Sequence, residues 1–348
     1  MKNNPFSLDF GAEPNLFIPR KAEHNTIVET FNSETPSTHI FLIIGARCTG
    51  KTVLMTSVSH ELREQPEWIH IDLNAEGNIL NSLASNLYKL TKSKFPKVKF
   101  SFSVKGVGVS LEKEEKYYDV QADIDEMLGI LAKKNIRVLI TLDEAANSKD
   151  IREFTTYFQH SIREKLPVFV IMTGLYKNIR ALQNNRSQTF LKRAPRIILG
   201  PLSYSRISRQ YEKVFDIAPG DSDLLTRHTN GYSYGFQILG YLLYEAGKKF
   251  VDDELLKEYK INLEESSYDK IWEELSEGEK SVAIACAKAG ENATVKETRE
   301  IASMDSNKFS TYQDTLEKSG ILSSTSSFGR VRFSLPYFDE FVLRQDVL

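Results

Sequence analysis

The stretch FLIIGARCTGKTVLM, residues 41–55, runs from four apolar residues into a glycine and a short polar turn. It then opens on Lys51-Thr52 into a helical pattern. Gly45-Ala46-Arg47-Cys48-Thr49-Gly50-Lys51-Thr52 satisfies the spacing GxxxxGK[ST], with a strand expected before it and a helix after it, as a phosphate-binding loop requires. In such a loop the backbone N–H groups at the helix amino terminus surround a phosphate, and glycine permits the close approach. The motif predicts that residues 45–52 cradle phosphates, that Lys51 neutralises the β- and γ-phosphates, and that the Thr52 hydroxyl ligates Mg2+.

A second element completes that chemistry. VLITLDEA, residues 138–145, is an apolar strand ending in Asp143 and Glu144. An acidic pair at the carboxyl edge of a sheet can divide its work, Asp143 holding Mg2+ through water and Glu144 orienting and deprotonating an attacking water. That adjacent glutamate points to hydrolysis rather than transfer to a bound acceptor. WIHIDL (68–73) adds a strand between the glycine loop and the acidic strand, the order of the additional-strand NTPases. No NKxD guanine signature follows, so ATP is expected over GTP. The next strand, VFVIMTGL, puts Thr173 where its hydroxyl can meet a γ-phosphate. FLKRAPRIILGPL places Arg193 and Arg196 at the fifth strand, from which an arginine can reach a neighbouring subunit's γ-phosphate.

The rest of the first 200 residues alternates in the same way, which predicts a parallel α/β sheet. Strands are expected at 40–44, 68–73, 138–142, 168–173 and 196–200, and helices at 51–64, 77–91, 120–134, 150–165 and 176–184. The strands are apolar almost throughout, as strands covered on both faces are. One insertion breaks the alternation: residues 97–116 alternate Val98, Phe100, Phe102 and Val104 with polar residues, then continue past Gly106, the pattern of a β-hairpin. It reads either as an edge ribbon or as a projecting loop that touches a neighbour or a nucleic acid.

From residue 201 the pattern turns helical, at 203–214, 221–229, 233–247 and 252–261. A last unit begins near residue 263. Ser276 with Glu279 and Thr294 with Glu297 each fit a capping box. SNKFSTYQDTLEKSG then carries Phe309, Tyr312 and Leu316 at helical spacing and stops at Gly320. Two strands around a polar tip follow, so three helices and a hairpin predict a winged helix. The domains expected are a P-loop core over 1–200, a helical lid over 201–262 and a winged helix over 263–348.

Composition bounds the function classes. A net charge of −2 offers no bulk basic field for nucleic acid or an acidic membrane surface. The two cysteines, Cys48 and Cys286, and the scattered histidines make no metal-like cluster. No signal core and no apolar run near 18 residues are visible, so a cytoplasmic protein with no membrane partner is expected.

Together the glycine loop, the Asp-Glu strand end, the added strand and the winged helix resemble the AAA+ ATPases. The resemblance is narrower to the branch with archaeal origin-recognition ATPases and STAND-like prokaryotic ATP-binding proteins, and it runs over nearly the whole chain. NPFSLDFG and NLFIPRKAEHNTI look like the family's leader, which packs beside adenine; here that element reads Pro19-Arg20-Lys21-Ala22-Glu23. GPLS and HTNGYSYGFQILGYLLYEAG look like its lid helices. The resemblance implies ATP or ADP with Mg2+ as ligands and self-association or a protein partner. Many lids of the family begin a helix with an arginine that reads the γ-phosphate. The stretch here, 231–236, has none, which implies slow, switch-like turnover.

Two functions follow as expectations. One is an ATP switch whose nucleotide state sets assembly or partner binding. The alternative is an ATP-regulated DNA-binding protein (an initiator, transposition helper or transcription regulator) that uses the winged helix and the hairpin. Arg330 and Arg332 share one face of the wing and can reach phosphates. Against that, residues 263–348 hold 10 Lys/Arg and 16 Asp/Glu, a balance that opposes duplex binding.

Overall fold

The computed structural model describes residues 3–9, 14–94, 119–291, 293–325 and 330–346, and the hairpin expected at 97–116 lies outside them. Its strands are β1 (Ile40–Ile44), β2 (Trp68–Leu73), β3 (Arg137–Leu142), β4 (Val168–Gly174), β5 (Arg196–Ile198), β6 (Leu322–Thr325) and β7 (Arg330–Phe333). Two compact units divide the chain. One comprises Arg20–Ile44 and Leu54–Ile197; the other comprises Met1–Pro19, Gly45–Val53 and Ile198–Leu348.

The first unit is built on a five-stranded sheet of order β2-β3-β4-β1-β5. The pairs β2/β3, β3/β4 and β1/β4 are all parallel. Parallel neighbours need long crossovers, and the helices Ile79–Lys94, Val120–Ala132, Lys149–Arg163 and Tyr176–Asn184 lie in those connections. Every residue of β1 and β4 is buried, which is why their sequences are apolar without alternation. β4 lies between β1 and β3, so the strand that feeds the glycine loop and the strand that ends in Asp143 are not neighbours. An open α/β sheet receives ligands beyond the carboxyl ends of its strands, where the order reverses, and both motifs leave the sheet at that edge.

The second unit is helical. Tyr204–Phe215, Pro219–Arg227, Ser233–Ala246 and Asp253–Leu263 come first. A π-helical turn, Glu264–Tyr268, then leads through Asp269–Glu274 to the helices Glu277–Ala289, Val295–Ile301 and Ser306–Lys318, the β6/β7 hairpin and a closing helix, Phe338–Gln345. Both capping boxes are present, at Ser276/Glu279 and Thr294/Glu297. β6 and β7 pair antiparallel, Leu322 opposite Phe333.

The amino-terminal segment joins this unit's core. Phe6 is buried, stacks on Phe215 at 5.9 Å between ring centroids and meets Phe236 edge-on at 5.5 Å. A Cβ on Gly240 would stand 2.3 Å from the Phe6 ring, so the helix Ser233–Ala246 needs glycine where the segment crosses it. Gln237 fastens the crossing: its amide oxygen accepts from the Ser7 N–H at 3.1 Å and its nitrogen donates to the Leu16 carbonyl at 2.6 Å.

Candidate nucleotide site

The glycine loop has the backbone its sequence demands. Cys48 and Gly50 both take positive φ, 57° and 89°, which turns successive N–H groups toward one point and makes an anion nest. A Cβ on Gly45 would lie 2.6 Å from Thr49 Oγ1 and 3.3 Å from the Leu199 carbonyl. The Ala46 carbonyl accepts from Thr49 Oγ1 at 2.9 Å and from Lys51 Nζ at 2.8 Å. The loop is therefore closed on itself, its lysine folded back beside the nest. These features fit a nucleotide's phosphates.

The same unit holds the loop from outside. The Tyr232 hydroxyl donates to the Arg47 carbonyl at 2.9 Å, and the Ser233 hydroxyl donates to the Thr49 carbonyl at 3.1 Å. Both residues stand at the amino-terminal end of the helix Ser233–Ala246. Gly231 enables that approach: at φ 76° it brings its carbonyl to the Leu202 N–H at 2.8 Å, and a Cβ there would sit 2.7 Å from Pro201. Tyr232 also meets Ser267 of the π-helical turn at 2.8 Å. Burial pushes the Tyr232 phenol well above its ordinary pKa, so it remains a neutral donor. The Arg47 guanidinium donates to Glu274 through Nε at 3.1 Å and also through Nη2. Cys48 is half-buried, and burial raises its thiol pKa, with Lys51 opposing.

Sequence reading missed Tyr232, Ser233, Ser267 and Glu274 as neighbours of the loop. Gly231-Tyr232-Ser233 attracted notice only for its lack of an arginine, and no local pattern marks Glu274.

In the first unit, β3 delivers Asp143 and Glu144 directly after its last strand residue. Glu144 has φ 52°, a conformation that costs a non-glycine residue free energy unless neighbours hold it. Its N–H donates to Asp143 Oδ1 at 3.0 Å and to Thr173 Oγ1 at 3.2 Å. The Thr173 hydroxyl donates to Asp143 Oδ1, and the Ala145 N–H donates to the Thr173 carbonyl at 2.8 Å. Thr173 is fully buried, so Asp143, Glu144 and Thr173 form one hydrogen-bonded cluster across β3 and β4. Gly174 is required beside it, since a Cβ would lie 2.9 Å from the Ala145 carbonyl. Thr52 stands in the first turn of the helix Lys51–Arg63. Arg193 ends a 3-10 segment, Arg186–Arg193, and Arg196 opens β5; both are exposed. No cluster of His, Cys, Asp and Glu among the described residues suits a metal held by protein ligands alone.

The sheet order, the loop after β1, the acidic end of β3 and the carboxyl-terminal hairpin define the fold as that of the AAA+ ATPases. Solved structures share it across the full chain. The Walker-type ATPase of Pyrococcus abyssi aligns over 95% of this chain and 96% of its own, with TM-score 0.64 and 16% identity. The ORC2 protein of Aeropyrum pernix, solved in ADPNP–ADP complexes, aligns over 97% of each chain with TM-score 0.60 and 13% identity. A family model described as a domain of unknown function, DUF8462, matches residues 265–342. No curated protein matches. Among the described residues no helix is long and apolar enough to cross a membrane.

Proposed function

We propose that this chain is a slow, ATP-dependent molecular switch whose nucleotide state controls self-association or the binding of a protein partner. In this reading residues 45–52 grip the phosphates, Lys51 neutralises their charge, and Thr52 and Asp143 hold Mg2+. Glu144 orients and deprotonates the attacking water, and Thr173 positions that pair. Arg193 acts on the γ-phosphate of a second copy. When bound, Mg-ATP supplies the phosphoanhydride that is cleaved. In this reading the domain segments are a core over 1–200, a lid over 201–262 and a winged helix over 263–348, with residues 1–19 and 45–53 of the core segment packed in the compact unit of the later ones.

The observation that carries the reading is the contact of the Tyr232 and Ser233 hydroxyls with the Arg47 and Thr49 carbonyls. A phosphate-sensing arginine would leave the lid with a contact that exists only while the γ-phosphate is present. Hydroxyls on the loop carbonyls instead report the shape of the loop, which suits holding a state over rapid cycling. The Glu144→Gln variant is expected to bind ATP with wild-type affinity, to hydrolyse it at least about a hundredfold more slowly, and to accumulate the ATP-form assembly. Light scattering in ATP and in ADP checks this: a variant that assembles no differently from wild type in ATP would sink the reading.

A second reading, ATP-regulated DNA binding through the winged helix, draws on the exposed Arg330 and Arg332 of β7. The surplus of carboxylates in residues 263–348 weighs against it.

A further inference from the structure

Charge is distributed unevenly along this nearly neutral chain. Residues 165–211 contain nine Lys and Arg and no Asp or Glu. Six of those cations fall in residues 177–196: Lys177, Arg180, Arg186, Lys192, Arg193 and Arg196, and all six are exposed. They lie on the helix Tyr176–Asn184, the 3-10 segment Arg186–Arg193 and the start of β5.

The scaffold beneath them is fixed. On the helix, Tyr176, Ile179, Leu182 and Gln183 are buried, so at 100° per residue Lys177, Arg180 and Asn184 share the opposite face. Gln183 Nε2 donates to the Leu191 carbonyl at 2.8 Å and ties the helix to the 3-10 segment. The fully buried Gln188 pins that segment to the helix Lys149–Arg163: it accepts from Thr155 Oγ1 at 2.6 Å and donates to the Arg152 carbonyl at 3.1 Å.

Five of these cations are spare. Among the described residues, Arg180, Arg186, Lys192, Arg193 and Arg196 enter no ion pair, and the one contact of this group is Arg180 over the Tyr176 ring at 5.9 Å. The neutral residues between them include Asn184, Asn185, Ser187 and Thr189, types that hydrogen-bond phosphate oxygens. Over 177–196 no large apolar side chain is exposed, and the nearest in sequence is the single Ile198 at the end of β5, 51% exposed. A protein partner would need such an anchor at the centre of its interface, whereas a polyanion needs only spaced cations and donors.

We propose that this surface of the α/β unit binds the phosphodiester backbone of a nucleic acid, without base readout, and that it, rather than the acidic winged-helix region, is the chain's nucleic-acid contact. The inference stands apart from the switch reading, because it requires neither hydrolysis nor assembly.

The test is anisotropy binding of the full chain to labelled duplex DNA, single-stranded DNA and single-stranded RNA of one length, titrated with salt. Arg193 is left intact so that its proposed role in hydrolysis is not disturbed. The wild type is expected to bind at least one of the three at about 50 mM salt, with log K falling steeply against log salt. Arg180→Gln/Arg186→Gln/Lys192→Gln is expected to lose more than about tenfold in affinity at about 100 mM salt. Its salt slope on duplex should be shallower by roughly 2.7, three contacts at about 0.9 each. An Arg330→Ala/Arg332→Ala variant should keep the wild-type slope. An unchanged thermal midpoint and unchanged ATP binding show that the triple variant is folded, and Arg186→Gln/Lys192→Gln serves in its place if it is not. Three results overturn the proposal: no wild-type binding to any of the three, an unaltered affinity and slope in the folded variant, or a loss of self-association in place of nucleic-acid binding.

Discussion

At the scale of single residues, the acidic edge of the sheet is a device for holding one unfavourable backbone angle. Glu144 occupies φ 52°, and its N–H is shared between the Asp143 carboxylate and the Thr173 hydroxyl. Asp143 and Thr173 each touch both partners through a side chain, Thr173 giving its proton to Asp143 and accepting from Glu144. Thr173→Val keeps the branched shape and the buried volume and removes both bonds. The Glu144 N–H keeps its bond to Asp143 Oδ1, so the cost is that of two lost hydrogen bonds, about 0.5–1.5 kcal/mol each, and the hold on Glu144 is loosened. Under the proposed roles, ATP binding should change by less than about threefold while hydrolysis falls about tenfold or more. Equilibrium binding of a fluorescent ATP analogue beside single-turnover hydrolysis separates the two effects. A variant with full turnover would show that Thr173 only caps the strand.

At the scale of elements, β1 and β4 were readable because burial on both faces leaves no polar alternation to misread. The edge strands β2 and β5 instead expose Asp72, Arg196 and Ile198, and β5 stops at Ile198, short of the residue 200 that its apolar run suggested. The capping boxes were readable for a different reason, since the chemistry lies within four residues. Elements whose stability comes from distant partners were not. The helix Lys21–Asn32 has no side-chain cap and buries only Ile27, Val28 and Phe31, so its pattern is weak locally. The helix Asp269–Glu274 buries only Ile271 and is entered through a π-helical turn, which breaks the 3.6-residue period. In the candidate site the loop and the Asp-Glu pair were legible, whereas Glu274 reaches Arg47 across 227 positions and carries no motif.

The second capping box makes a prediction about pH. Glu297 accepts from the Thr294 N–H at 2.7 Å and from its hydroxyl at 2.9 Å, and these bonds hold its carboxyl below the ordinary value of 4.5. A depressed folded-state pKa means that the contribution is complete above the unfolded value and is lost as pH falls through the folded one. The difference in urea midpoint between wild type and Glu297→Ala should therefore be constant from pH 7 down to about 4.5 and shrink below it. A difference that persists unchanged in acid would assign the effect to helix propensity rather than to the carboxylate.

At the scale of the whole molecule, one compact unit draws together three segments far apart in sequence: the amino-terminal residues, the glycine loop and everything after residue 198. The loop is thus a structural member of the helical unit as well as the proposed phosphate site, and whatever changes its shape is felt by the helices that hold it. The Arg47–Glu274 pair is the charged part of that connection. Its side chains are 26% and 37% exposed, so as an ion pair it is worth about 1 kcal/mol or less. Its electrostatic effect on the ligand is of a different kind. Glu274 brings a carboxylate to the loop and engages the one loop guanidinium that otherwise adds to the field of Lys51. Removing that negative charge by Glu274→Gln should tighten ATP and ADP binding by about three- to tenfold, equivalent to about 0.7–1.4 kcal/mol. Arg47→Gln should weaken binding by a similar factor. Because the pair links the loop to the helix Asp269–Glu274, ATP should also protect fewer amides beyond residue 263 from hydrogen exchange in Glu274→Gln than in wild type. Calorimetric titration in low and moderate salt measures the first effect, which should fade as salt screens the loop. If both variants bind ATP as wild type does and the exchange pattern is unaltered, Arg47–Glu274 is a surface pair with no part in reading the nucleotide.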